Sequence, residues 1–243
     1  MSNWATELVN GTASWVEYQR TLSFTRIPEG AVQLIAEKII LATSGRKNGI
    51  MRIESNFHFT NNSKSKYADI AILDNNKSKD ILAVIELKVL TSKLGKDAHI
   101  NKDELLKDVL KLTMISKEKG YKCFFLLVGE YDQAIKIINN KRKTTHSINS
   151  ILNYDGDLEK RIDGRKAKNI FRDLNHCQKS IRKHGFKPTD IQDIYTQLRR
   201  KSVVGLRVNE SKKMQKFRTA AFLWQVSHSE ECLKGSIDLG DIN

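Results

Sequence analysis

Apolar and polar positions change period several times along the chain, and each change marks an element. Behind Pro28 and Glu29, the residues Val32, Ile35, Ala36, Ile39 and Ile40 recur at helical spacing and Gly45 follows as a stop. This predicts a helix from about 28 to 44 with one acid, Glu37, among its apolar neighbours. From Ile50 to Phe59 the period falls to two, which predicts a half-buried strand. Two β-rich apolar runs follow, Tyr67 to Leu73 and Ile81 to Val89, joined by the polar turn Asp74 to Asp80, and together they predict a hairpin. Its second strand is apolar on both faces from Ile81 to Ile85, as suits a strand covered on both sides. After the polar loop Thr91 to Lys102, the stripe Leu105, Leu106, Val109, Leu110 and Thr113 predicts a helix closed by Gly120, and Lys122 to Val128 reads as another buried strand. The predicted order is helix, three strands, helix, strand.

The flanks are less regular. Ser14-Trp15-Val16-Glu17 fits a capping box and predicts a short helix starting there. Tyr131 to Asn139 has the pattern of a further helix, and Asn140 to Gly156 that of a polar connection. Ile170, Leu174, Cys177 and Ile181 predict a helix from about 165 to 184, closed by Gly185. Thr189 can cap a second, with Ile191, Ile194 and Leu198 inward and the run Arg199-Arg200-Lys201 at its end. Ser202 to Val208 and Lys216 to Val226 then read as strands around a turn at Asn209 to Lys213. The chain divides on this basis into an N-terminal helical segment (1–27), a core (28–139) and a C-terminal α+β extension (140–243).

Length and composition change the picture little. At 243 residues and 40% hydrophobic, the chain can bury one sizeable core. No apolar run approaches the roughly 20 residues of a bilayer span, and the N-terminus lacks a basic-then-apolar leader pattern, so a cytoplasmic protein is expected. Cys123, Cys177 and Cys232 have no paired spacing and the six histidines form no ligand cluster, which argues against a disulfide framework or a zinc site.

Charge changes it more. The net charge is +14, and Lys160 to Arg218 alone carries eighteen Lys or Arg against five acids, a net +13. Such localisation favours a polyanionic partner, and nucleic acid suits it better than a membrane surface. Candidate phosphate contacts are Arg165, Lys168, Arg172, Arg182, Lys183, Arg199, Arg200 and Lys201.

Three charged residues sit inside the hairpin where the apolar pattern does not ask for them. Glu86 and Lys88 share one face of the second strand, and Asp69 on the first can come alongside. Charges held in a half-buried sheet cost several kcal/mol each unless matched. A divalent metal bridging Asp69 and Glu86 would match the carboxylates, and Mg²⁺ prefers one or two carboxylates plus water and phosphate oxygens. The set suits metal-assisted hydrolysis of a phosphodiester.

Asp69, then Glu86-Leu87-Lys88 on the next strand, within that order of elements, resembles the PD-(D/E)XK nuclease superfamily over about residues 28–129. Ala68 stands where the family name has proline. The resemblance implies an α/β, restriction-endonuclease-like core with a central mixed sheet flanked by helices. It implies Mg²⁺, with Mn²⁺ as a substitute, on Asp69, Glu86 and the Leu87 carbonyl, and Lys88 orienting or helping to deprotonate the attacking water. Glu37 resembles the helix acid that completes the metal site in many members. Asp108 and Lys111 on the following helix can reach the active-site side, but read better as an exposed i, i+3 pair. A Mg²⁺-dependent endonuclease acting on DNA is expected, in restriction or defence, with a homodimer for double-strand cuts. The alternatives are a nuclease-fold protein that only binds DNA or RNA, and a ribonuclease.

Overall fold

The structure, a computed structural model, describes residues 4–22, 27–44, 51–59, 66–74, 81–90, 102–131, 133–134, 159–162, 196–207 and 218–228. In chain order the elements are α1 (Trp4–Thr21), α2 (Glu29–Ser44), β1 (Met51–Phe59), β2 (Lys66–Asp74), β3 (Ile81–Leu90), α3 (Lys102–Lys119), β4 (Lys122–Glu130), β5 (Glu159–Ile162), β6 (Thr196–Arg207) and β7 (Arg218–Ser227). The strands form one mixed seven-stranded sheet in the order β1-β2-β3-β4-β7-β6-β5. β1, β2 and β3 are antiparallel, β3 and β4 are parallel with α3 as their crossover, and β7, β6 and β5 continue antiparallel beyond β4. The chain is therefore α/β, with helices on a mixed sheet as expected. No helix among the described residues is long and apolar enough to cross a membrane.

Side chains alternate across the sheet and divide its two faces. Ile70, Ile72, Ile85, Leu87, Phe124, Leu126, Val128, Ala221 and Leu223 pack with α1 and α2 in one apolar cluster. Glu86, between Ile85 and Leu87, points the other way and meets Lys111 of α3, so α3 covers the opposite face. There Phe125 and Trp224 lie with ring centroids 5.9 Å apart, and Trp224 stacks on Phe222 at 5.6 Å. Cys123 to Val128 are all buried, as a central strand covered on both faces must be.

α1 starts ten residues before the predicted capping box. Ser14 lies inside the helix, and the buried stripe Trp4, Ala5, Leu8, Val9, Thr12, Ala13, Val16 and Glu17 runs past it. The Thr12 hydroxyl donates to the Leu8 carbonyl at 2.7 Å, which satisfies a polar side chain that would otherwise be buried bare. Gly11 permits the close crossing with α2: a Cβ there would stand 2.5 Å from Ile39 Cδ1.

The C-terminal part differs from expectation in one element. The predicted helix capped by Thr189 would carry Leu198 and the basic run at its end, but Thr196–Arg207 is strand β6. Its backbone pairs with β7 from Gln197↔Ser227 to Arg207↔Arg218, with a register shift between Arg200 and Ser202. Pairing over that length outweighs a local helical spacing of three apolar residues. Arg199, Arg200 and Lys201 therefore lie on a strand rather than at a helix end. β7 in turn pairs with β4 from Cys123↔Val226 to Glu130↔Thr219, which joins residues beyond 139 to the core sheet. The predicted helix at about 165–184 lies outside the described residues, as do Arg165, Lys168, Arg172, Arg182 and Lys183.

Gly129 is the tightest backbone position among the described glycines. Its φ is +155°, and a Cβ there would meet the Leu90 carbonyl oxygen at 2.3 Å across the β3–β4 pairing. Backbone on the neighbouring strand cannot swing aside as a side-chain tip can. Gly129→Ala is expected to lower stability by about 3 kcal/mol in denaturant unfolding.

Candidate functional site

The β2–β3 hairpin brings its charged residues together through strand register. The ladder runs Ile72↔Ala83, Ala71↔Val84, Ile70↔Ile85, so the next positions, Asp69 and Glu86, stand opposite each other and on the same face. The β2–β3 ladder ends at Ile70↔Ile85. The Leu87 backbone N–H donates to Asp69 Oδ2 at 2.7 Å instead of to a β2 carbonyl. A strand residue sends its N–H and C=O to the same edge, so the Leu87 carbonyl faces the β2 side as well. β3 remains paired to β4 on its other side as far as Leu90↔Gly129.

α2 holds Asp69 from the other side. Gln33 Nε2 donates to the Asp69 carbonyl at 2.7 Å and to Glu37 Oε1 at 3.2 Å, so Glu37 reaches the site through Gln33. Glu29, in the first turn of the same helix, comes to Lys88 Nζ at 3.2 Å. The resemblance marks Glu37 as the helix acid, and the sequence pattern gives Glu29 only a helix-start role. No pattern in one chain reveals that the α2 N-terminus lies over the end of β3.

α3 supplies the remaining charges. Lys111 Nζ is 2.5 Å from Glu86 Oε1 and 3.9 Å from Asp108 Oδ1, while Lys88 Nζ is 3.7 Å from Asp108 Oδ2. Both Asp108 and Lys111 are only 6% exposed, which corrects the reading of them as an exposed pair. Their spacing does put them on one face of a helix, but that face meets the sheet at Glu86. The result is a chain of alternating sign: Glu29, Lys88, Asp108, Lys111, Glu86. With Asp69 beside Glu86, four carboxylates face two ammonium groups, a surplus of two negative charges when all are ionised.

Burial and that surplus together set the protonation of the site. Burial pushes the Glu86 carboxyl up from 4.5 to about 8; Lys111 pulls it down, and the Asp108 and Asp69 carboxylates push it further up. Glu86 Oε2 is buried and has no hydrogen-bond partner among the described residues. Burial alone would weaken the proton affinity of Lys88, but Asp108, Glu29, Asp69 and Glu86 outweigh it and raise that affinity above the ordinary lysine value. Lys88 is thus an ammonium at neutral pH, able to orient a water or phosphate oxygen by donating to it, and not a free base.

A stability prediction follows from Glu86. The unfolded chain releases this proton near 4.5 while the folded chain keeps it to about 8, so the folded state binds more protons between those values. Stability therefore falls as pH rises through that window, by up to about 1.4 kcal/mol per pH unit for one group. In metal-free buffer, Glu86→Gln is expected to flatten this part of the unfolding free energy measured against pH.

Among the described residues no group of three or more His, Cys, Asp and Glu is gathered as a ready-made metal cage. No protein-family model, curated protein or solved structure matches the chain.

Proposed function

We propose that the chain is a divalent-metal-dependent endonuclease with a restriction-endonuclease-like core, hydrolysing DNA phosphodiester bonds. The observation that carries this is the meeting of Asp69 and Glu86 where the β2–β3 ladder opens, with Lys88 two residues on and an excess of negative charge around them. An orphaned, buried Glu86 Oε2 beside a second carboxylate is the donor set that Mg²⁺ or Mn²⁺ accepts, with waters and phosphate oxygens completing the coordination. Asp69, Glu86 and the Leu87 carbonyl would hold the ion, and Glu37 contributes by fixing Gln33, which holds the Asp69 backbone. When bound, the ion lowers the pKa of a water and offsets charge developing on the phosphate.

The protein's own groups do the positioning. Asp69 is locked by the Leu87 N–H and by Gln33, so its carboxylate needs little reorganisation to serve as a ligand. The Lys88 ammonium, held between Glu29 and Asp108, presents N–H donors at the end of β3 where a phosphate oxygen or water would lie. The basic segment from Lys160 to Arg218 suits gripping a nucleic-acid backbone, which makes binding strongly salt-dependent. One site per chain cuts one strand, so double-strand breaks call for a homodimer.

A nuclease-fold protein that binds nucleic acid without cutting is the alternative, and one observation favours it: Lys111 already sits on Glu86 Oε1. A cleavage panel with Mg²⁺ or Mn²⁺ on plasmid, linear and single-stranded DNA and on RNA decides between them. Cutting of DNA that stops with a chelator supports the nuclease. Salt-dependent DNA retention with no cutting supports the binding protein, and preferential cutting of RNA makes the chain a ribonuclease.

A further inference from the structure

Lys111 has no task in the metal chemistry above, yet it occupies the centre of the site. Its ammonium is 2.5 Å from Glu86 Oε1, and its side chain is 8% exposed. Burying an ammonium is costly without a partner, and here the partner beside it is the Glu86 carboxyl group that a divalent cation would also need. The two sources of positive charge are in conflict. A cation on the free Oε2 would lie within a few ångströms of the Lys111 nitrogen, where a divalent ion and an ammonium repel strongly even at the effective dielectric of a protein surface. Asp108 offers the ammonium a second place. It lies one turn earlier on α3, with Oδ1 3.9 Å from Lys111 Nζ, within reach of a change in the lysine side-chain torsions alone.

We propose that Lys111 is a resident counter-cation on Glu86, which a divalent cation displaces toward Asp108, so that Lys111 sets the cation concentration at which the site fills. The proposal rests on the metal-dependent function above. Lys111 is then a positioning residue: in the metal-free protein it keeps the buried carboxylate in place, and it raises the threshold for loading. The contact would be autoinhibitory, because Glu86 would be available to a cation only once Lys111 has left its Oε1.

The test is a thermal-unfolding titration of the full chain with MnCl₂ or MgCl₂ alone, with no nucleic acid present. Without cation, Lys111→Met is expected to melt below wild type, since Glu86 loses its partner. With cation, its melting temperature should rise further than that of wild type, with the half-maximal rise at about tenfold lower cation concentration. Lys111→Gln keeps a hydrogen-bond donor for Oε1 without the charge; it should show the same lowered midpoint, and serves if the methionine variant does not fold. A midpoint that is unchanged or higher in the lysine variants, while the wild-type rise is lost in Asp69→Asn, overturns the proposal and leaves the metal site standing. If no variant shows a cation-dependent rise that requires Asp69, both the proposal and the metal-dependent function fail.

Discussion

Asp69→Asn is expected to reduce metal-dependent DNA cleavage by on the order of a thousandfold while leaving the fold intact. The asparagine side-chain oxygen can still accept the Leu87 N–H that Asp69 Oδ2 accepts at 2.7 Å, and its backbone carbonyl still accepts Gln33. The substitution therefore removes a charge and little else. Asp69→Ala is a poorer probe, because it leaves the Leu87 N–H without its acceptor and mixes a local structural cost with the loss of a ligand. Unfolding midpoints measured beside cleavage rates separate the two effects: Asp69→Asn should cut poorly and unfold at the wild-type denaturant concentration in metal-free buffer.

The second large effect is on stability and comes from the other end of the chain. Trp4 is 3% exposed and meets Phe124 of the central strand edge to face, with centroids 5.1 Å apart. Trp4→Ala is expected to cost about 3–5 kcal/mol, a large part of the stability of a domain this size. Removing α1 altogether would uncover Phe124, Leu126, Val128 and Leu223, which share its apolar cluster. α1 is thus a wall of the core. Arg20, in its last turn, ties it to Glu130 at the end of β4 at 2.8 Å, and Glu17 accepts a hydrogen bond from the Thr219 hydroxyl on β7. Denaturant unfolding of the single variant measures the effect while avoiding the insolubility a truncation would bring.

The sequence makes the hairpin legible because two properties agree there. Apolar runs bounded by a polar turn define the strands, and the antiparallel register that a hairpin imposes places Asp69 opposite Glu86. α2, α3 and β4 are legible for the same reason, since each has one dominant period and a clean stop. Four features were hidden. In α1, Ser14 resembles a cap, whereas the helix runs through it from Trp4 to Thr21 and Gly11 serves the close crossing with Ile39. In β6, Leu198 continues the helical spacing of Ile191 and Ile194 in the sequence, and only the long pairing with β7 decides for a strand. At the site, spacing correctly put Asp108 and Lys111 on one helix face but could not say that this face meets Glu86. Glu29 was hidden likewise, because its role depends on where α2 begins relative to the end of β3. Local pattern specifies elements; the site is made where elements from distant parts of the chain converge.

In the proposed function, Asp69 and Glu86 together hold a divalent cation. Calorimetric titration of Mn²⁺ into the wild-type chain and into Glu86→Gln tests it most directly, without needing a substrate. One ion per chain, bound at least about tenfold more weakly by the variant, is the predicted result. No binding by the wild type, or equal binding by both, would contradict it.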